Sequence, residues 1–294
     1  MSATVAPARL EAATREVLAP RRTRRRHPAR WILPAYTTLL LLFLVTPILG
    51  MILYGFNDIP QERQTAKFWG FTLDWYRNVF ADPGLNQAIK NSLMIAFVAA
   101  AIATPIGTTL GIALGRYGFR GKAGVSFVIF MALAVPEIVL GSSLLSMYIQ
   151  VRAPIGITTI LLSHVAFGTP FVAVTVRARV QGLDRSLEDA AQDLFATPFG
   201  AFRKVTLPII LPGIVAGFML AFVLSLDDFV ITNFVSGQTL TFPTWVYGAT
   251  KVGIPPTVNV MATLLFVTGL VLALLSALST RGKDAVALSA GTKG

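Results

Sequence analysis

Six long apolar segments determine what this chain can fold into. They lie at about 31–56, 87–115, 123–149, 157–176, 211–235 and 257–279. Each has enough residues to cross a hydrocarbon core of about 30 Å as a helix that rises about 1.5 Å per residue. Hydrophobic residues make up 54% of the 294 residues and charged residues only 13%. We therefore predict an all-α membrane protein with six transmembrane helices rather than a soluble helical protein.

Arginine and lysine residues assign the two sides of the membrane. If the N-terminus is cytoplasmic, the inner segments hold nineteen basic residues and the outer segments hold six. Because cytoplasmic segments carry an excess of basic residues, both termini are predicted to be cytoplasmic. The net charge of +11 is thus explained by membrane orientation, and nucleic-acid binding is not expected.

Three regions follow from this pattern. Residues 1–30 form a basic cytoplasmic tail, residues 31–280 form the six-helix membrane domain, and residues 281–294 form a second tail; both tails are predicted to be disordered. The arginine run at 21–26 also resembles a twin-arginine export signal. That interpretation is disfavoured, because the apolar segment after it is too long and lacks a small-residue cleavage site.

The composition excludes several kinds of chemistry. The chain has no cysteine and two histidines, so neither a thiol nucleophile nor a metal site is expected. The segment 115–124 contains glycines and a lysine without the spacing of a phosphate-binding loop. We therefore predict no catalytic residue, no bound cofactor and no ATPase activity on this chain.

Three acidic residues fall inside the predicted spans, where charges are costly and usually functional. By the helical rise, Glu137 lies about 20 Å above the inner boundary, Asp227 about 24 Å and His164 about 20 Å. This common level in the outer half, without an intramembrane lysine or arginine, predicts a path for a cation such as a polyamine. The candidate path residues, including two aromatic ones that suit ammonium groups, are Glu137, Asp228, Asp227, Phe229, Trp245 and His164.

Helical periodicity suggests different roles for the two adjacent aspartates. Asp228 would share a stripe with Ser225 and Thr232 and is predicted to face the path, whereas Asp227 would be paired or packed against a partner subunit. Each acid has an alternative structural role in helix pairing, and the alternative for His164 is an interhelical hydrogen bond. Pro136 is expected to kink the third span just before Glu137.

A charged, helix-prone stretch at 187–198 separates the fourth and fifth spans on the cytoplasmic side. Ser186 can cap this helix, the acidic residues near its start favour the positive end of the helix dipole, and Pro198 is expected to end it. Ala190 and Ala191 leave a smooth face for docking. A polar helix between membrane spans predicts a partner outside the bilayer; the alternative is a solvated loop helix without a partner.

This stretch resembles the EAA loop of ABC importer permeases. The pattern of EAA, three residues, Gly, nine residues and Ile-x-Leu-Pro matches at Asp189-Ala190-Ala191, Phe195, Val205, Leu207 and Pro208. Asp for Glu and Val for Ile are mild departures, whereas Phe195 replaces a small residue that allows a tight turn. The segments 70–80, 90–96 and 225–237 resemble the spermidine/putrescine-type subgroup, and the similarity covers about 68–260.

The resemblance implies a type I permease fold in the bacterial inner membrane. It further implies a second permease subunit, two ATPase subunits that bind ATP and magnesium, and an extracytoplasmic solute-binding protein. A coupling loop at about 177–210 would transmit the ATPase motion. The implied coupling residues are Glu188, Asp189, Ala190, Ala191, Asp193, Phe195, Leu207 and Pro208.

The expected function is therefore half of the translocation path for a polyamine or a similar small organic solute. An alternative remains: the intramembrane acids and His164 would also suit an ion-coupled secondary transporter of a cationic solute. The long charged loop and the weak internal symmetry of the chain argue against that alternative.

Overall fold

The computed structural model describes residues 29–60, 67–184 and 186–271, and these residues are predominantly helical. The predicted tail at 281–294, the last part of the sixth span and nearly all of the basic tail lie outside the described residues. The chain divides into two units, Met1–Leu53 and Tyr54–Gly294. The first unit contains most of helix α1 (Ala29–Tyr54), whose apolar side chains between Trp31 and Val45 are exposed, as suits contact with lipid.

Four helical segments are long and apolar enough to cross a membrane within the described residues: Trp31–Tyr54, Pro83–Arg116, Ile157–Gln181 and Pro198–Asp227. The other helices are shorter. In chain order after α1 they are α2 (Asp74–Arg77), α3 (Pro83–Arg116), α4 (Lys122–Ala134), α5 (Glu137–Gln150), α6 (Ile157–Gln181), α7 (Ser186–Asp193), α8 (Pro198–Ala201), α9 (Leu207–Asp227), α10 (Val230–Val235), α11 (Phe242–Val252) and α12 (Pro256–Val271).

The third predicted span, at 123–149, is divided into two helices. Helices α4 and α5 meet at a bend of 106° around Val135 and Pro136. The expected effect of Pro136 is thus correct in place and larger in size than a kink, because proline removes a backbone donor and its ring clashes with the preceding turn. Glu137 becomes the first residue of the new helix.

The fifth span also differs from its prediction at 211–235. Its helical segment begins earlier, at Pro198, runs through a π-helical turn at Phe202–Thr206, and ends at Asp227. Helix α10 then starts separately at Val230. The comparison of helical stripes for Asp227 and Asp228 assumed one uninterrupted helix, so it does not apply here.

Helices α3, α6 and α9 form a closely packed block in the second unit. A Cβ atom built on Gly107 of α3 would lie 2.6 Å from the Cβ of Val172 on α6. A Cβ atom built on Gly111 would lie 2.7 Å from the carbonyl oxygen of Ala173, also on α6. Glycine therefore allows the two backbones to approach at a distance that any larger residue would prevent. On α9, Gly213 and Gly217 lie in the same way against Arg179 and Val172 of α6.

Candidate functional site

The break between α9 and α10 is built by the side chain of Asp228. This residue has an extended backbone, with φ −63° and ψ 116°. One carboxylate oxygen accepts the backbone N–H of Ile231 at 3.2 Å; the other accepts the N–H of Thr232 at 2.7 Å and the Thr232 hydroxyl at 2.8 Å. Asp228 thus satisfies donors at the first turn of α10, which would otherwise lack partners.

His164 connects this break to α6. Its Nε2 lies 3.2 Å from a carboxylate oxygen of Asp228 and 3.0 Å from the hydroxyl of Thr232, and its Nδ1 lies 2.6 Å from the hydroxyl of Ser225 on α9. Because a carboxylate only accepts, Nε2 carries the proton in the neutral ring, and Nδ1 accepts from Ser225. All four side chains are buried. The predicted interhelical hydrogen bond of His164 therefore exists, and it ties α6, α9 and α10 together.

The other two predicted acids are exposed in this chain. Glu137 begins α5 and Asp227 ends α9, so each stands directly beside a helix break. The two broken regions are neighbours, because α5 packs on α10: a Cβ atom on Gly141 would lie 2.8 Å from the ring of Phe234. The carboxylates of Glu137, Asp227 and Asp228 are within electrostatic range of one another. Their roles in a path remain predictions.

The two predicted aromatic residues lie in different environments. The ring of Phe229 packs against Tyr247 of α11 with 4.6 Å between centroids, and the ammonium of Lys251 lies 4.8 Å from the Tyr247 ring. Trp245 instead packs in an apolar cluster with Val79 and Leu85. Tyr247 is not among the residues predicted from the sequence; the signal for the helix that carries it is the capping pair Thr241 and Thr244 before an apolar run.

Helix α7 occupies the predicted cytoplasmic stretch, and none of its residues is buried. It begins at Ser186 itself, and the preceding Asp184 accepts the N–H of Ser186 at 3.0 Å, so the capping acceptor is Asp184 rather than Ser186. This hydrogen bond holds the pKa of the Asp184 carboxyl below its ordinary value. Ala190 and Asp193 are exposed, and Ala191 is half-buried.

Phe195, not Pro198, accompanies the end of α7. The N–H of Phe195 donates to the carbonyl of Gln192 at 2.9 Å, and that of Ala196 donates to Ala191 at 3.0 Å. This pair of bonds is the Schellman motif, which needs a left-handed residue and usually takes glycine. Phe195 has φ 61° and is 98% exposed. A tight turn therefore forms here although Phe195 replaces the small residue of the family pattern. The prediction that Pro198 ends the helix is wrong, because Pro198 starts α8 with Thr197 as its cap.

The remaining predicted coupling residues lie within α7 and after it. Leu207 begins α9 directly after the π-helical turn and packs on the apolar cluster that includes Val176 and Ile210, while Pro208 is exposed. Glu188 forms a two-pronged ion pair with the guanidinium of Arg116, the last residue of α3. The spacing of the loop gave no signal for that pair. Among the described residues, no group of acidic and histidine side chains is arranged to hold a metal ion.

Comparisons with known proteins give consistent results. The family described as "Binding-protein-dependent transport system inner membrane component" matches residues 107–287. The spermidine/putrescine transport system permease protein PotC of Haemophilus influenzae is 39% identical over 240 residues, 81% of this chain and 92% of that protein. The putrescine transport system permease protein PotI of Escherichia coli is 40% identical over 231 residues, 76% of this chain and 81% of that protein.

A solved structure shares the fold. The chain aligns with a bacterial ABC transporter involved in the import of the acidic polysaccharide alginate, with a TM-score of 0.64 and 17% identity, over 85% of this chain and 95% of that chain. The fold of this chain has thus been seen in a membrane transporter.

Proposed function

Because the chain belongs to the family of inner-membrane components of binding-protein-dependent transport systems, we propose that it forms half of the translocation path of an ABC importer. A second permease subunit would complete the path, two separate ATPase subunits would bind ATP and magnesium, and an extracytoplasmic solute-binding protein would deliver the solute. The predicted excess of basic residues in the inner segments favours cytoplasmic termini and six spans in the bacterial inner membrane.

The observation that carries this proposal is the exposed helix α7. None of its eight residues is fully buried, and it is followed by Leu194 and Phe195, which are 81% and 98% exposed. Two neighbouring apolar side chains exposed this fully beside an acidic helix support a protein interface, because their exposure has no role within the chain. The partner surface would be a groove of the ATPase subunit that accepts α7 and the ring of Phe195.

The proposed solute is a polyamine such as spermidine or putrescine. The names of the relatives support this class, and so do the carboxylates at the two helix breaks. Glu137 and Asp227 are the acids that a cation reaches from the surface of this chain, whereas the carboxylate of Asp228 already accepts hydrogen bonds from three residues. Phe229 and Tyr247 would contribute aromatic faces on the outer side of the same region.

Reconstitution tests the transport function. The chain is incorporated into liposomes with its partner permease, and uptake of labelled spermidine is measured with and without ATP, ATPase subunits and binding protein. We expect uptake only when all are present. Uptake that follows an ion gradient without ATP would instead establish the secondary transporter.

Two sets of variants test the residues. Leu194→Asp with Phe195→Asp is expected to abolish co-purification of the ATPase, whereas Phe80→Asp, a change at a 66% exposed phenylalanine of the predicted outer side, keeps it. Asp227→Asn and Glu137→Gln are expected to lower uptake at unchanged assembly, by about tenfold if each removes about 1.4 kcal/mol of cation stabilisation. Normal uptake by both variants would remove these acids from the path.

A further inference from the structure

The helix α7 needs a mechanical connection to the membrane block if it is to transmit motion. The segment 182–185 connects α6 to α7, and the segment 194–197 connects α7 to α8. Neither segment is helical where it is described. No side chain of α7 inserts into a core. Apart from its contacts with α8 and with the π-helical turn at Phe202–Thr206, α7 therefore has no fully buried side chain that anchors it on the spans.

The ion pair of Arg116 and Glu188 connects α7 directly to α3. Arg116 is the last residue of α3, and its guanidinium donates to both carboxylate oxygens of Glu188. The two side chains are only 13% and 14% exposed, so the pair is largely shielded from water and salt. A two-pronged contact between a guanidinium and a carboxylate fixes distance and orientation together, which a single point charge does not.

Because Arg116 is the last residue of α3, a force on α7 would act on the end of α3. The adjacent Gly115 lies against Val180 of α6, where a Cβ atom would be 3.0 Å from a Val180 methyl group. Together with Gly107 and Gly111, it keeps α3 in contact with α6 along three turns, and α6 in turn packs on α9. Displacement of the end of α3 therefore moves the block of α3, α6 and α9 as a unit rather than one helix alone.

We propose that Arg116 and Glu188 form a strut that couples α7 to the transmembrane block. This inference rests on the proposed function, and it goes beyond that function by assigning Arg116, which lies outside the docking loop, as a positioning residue for the transport cycle. Arg116 acts through Glu188 and touches neither solute nor nucleotide. Asp189 lines the same depression as Arg116, Tyr117 and Gly118, and its side chain is exposed.

The test uses the reconstituted complex and measures three quantities: co-purification of the ATPase, ATP hydrolysis and ATP-driven spermidine uptake. We expect Arg116→Gln to keep co-purification and hydrolysis while lowering uptake per ATP hydrolysed by about tenfold, the equivalent of about 1.4 kcal/mol. Glu188→Gln, at a predicted coupling residue, is expected to lower uptake per ATP hydrolysed by about the same factor. Arg120→Gln is the matched control, because Arg120 is an exposed arginine of the same loop. Its uptake is expected to remain at the level of the unmodified complex.

The charge-swapped pair separates a strut from a simple loss of stability. Arg116→Glu combined with Glu188→Arg is expected to recover uptake to within about threefold of the unmodified complex, because interacting sites are not additive. The inference is overturned if the single variants transport normally, if the swapped pair is no better than either single variant, or if Arg116→Gln loses the ATPase. If the unmodified complex itself takes up solute without ATP, the proposed function fails instead, independently of the strut.

Discussion

The helix break at Asp228 and the surface helix α7 are both polar, yet they satisfy their polar groups in opposite ways. Asp228 is 7% exposed, and every hydrogen bond described for its carboxylate is made within the chain, to Ile231, Thr232 and His164. Helix α7 buries no residue and exposes Leu194 and Phe195. The first region satisfies its polar groups within one chain, whereas the second is, under the proposed function, covered by a partner. Mutations should therefore affect stability at the break and assembly at α7.

The largest effect is expected for Asp228→Ala. The change leaves His164 and the first turn of α10 without their acceptor in a buried site, and removing one partner of a buried pair costs about 3–5 kcal/mol. The midpoint of thermal unfolding of the purified complex in detergent measures this loss. Asp227→Ala is the control one residue away: its side chain is exposed, so a change within about 0.5 kcal/mol is expected. Equal destabilisation by both variants would contradict the distinction between the two aspartates.

A double-mutant cycle sharpens the same comparison with a smaller energy. His164→Ala and Asp228→Ala are measured singly and together, and the interaction energy of the pair is expected to be about 1–3 kcal/mol because the two side chains share one network. The control cycle joins His164 with Asp227, for which no hydrogen bond is described. Additive losses in the first cycle would mean that His164 packs beside Asp228 without stabilising it.

At α7 the expected effect is smaller and has the opposite sign. Phe195→Gly removes a side chain from a left-handed backbone position, which costs about 1 kcal/mol for a residue other than glycine. Slower amide exchange at Ala190 and Ala191, measured by mass spectrometry, is the expected result. Phe199→Gly provides the control: Phe199 is also exposed, but it lies inside α8, where glycine weakens a helix by about 1 kcal/mol. Faster exchange in both variants would show that Phe195 stabilises its turn.

Much of this architecture follows from the sequence, because apolar length and charge bias are local properties. The second and fourth spans were placed within a few residues, and the stretch at 187–198 does contain a surface helix. The break at Pro136 was foreseen because proline acts on its own backbone. Its angle of 106° was not, since that depends on how α5 packs against α10.

Contacts between side chains that are far apart in the chain could not be predicted from the sequence. The hydrogen bond of His164 to Asp228 joins positions 64 apart, and the ion pair of Arg116 with Glu188 joins positions 72 apart. Neither separation has a periodic signature. The end of α9 at Asp227 was missed for a related reason: an aspartate within an apolar run is compatible with a continuous helix until its carboxylate is known to cap a new one.

The smallest expected effect concerns the start of α7 and its response to pH. Because the N–H of Ser186 lowers the pKa of Asp184, the contribution of this carboxylate is fully present above its ordinary pKa of about 3.9 and is lost only as pH falls through the lower folded value. Amide exchange in the first turn of α7, corrected for its intrinsic pH dependence, should therefore be the same at pH 6 and pH 8 in the isolated chain. Asp184→Ala should speed that exchange at both pH values by the same factor. A change in protection between pH 6 and pH 8 would mean that a group other than Asp184 holds the start of this helix.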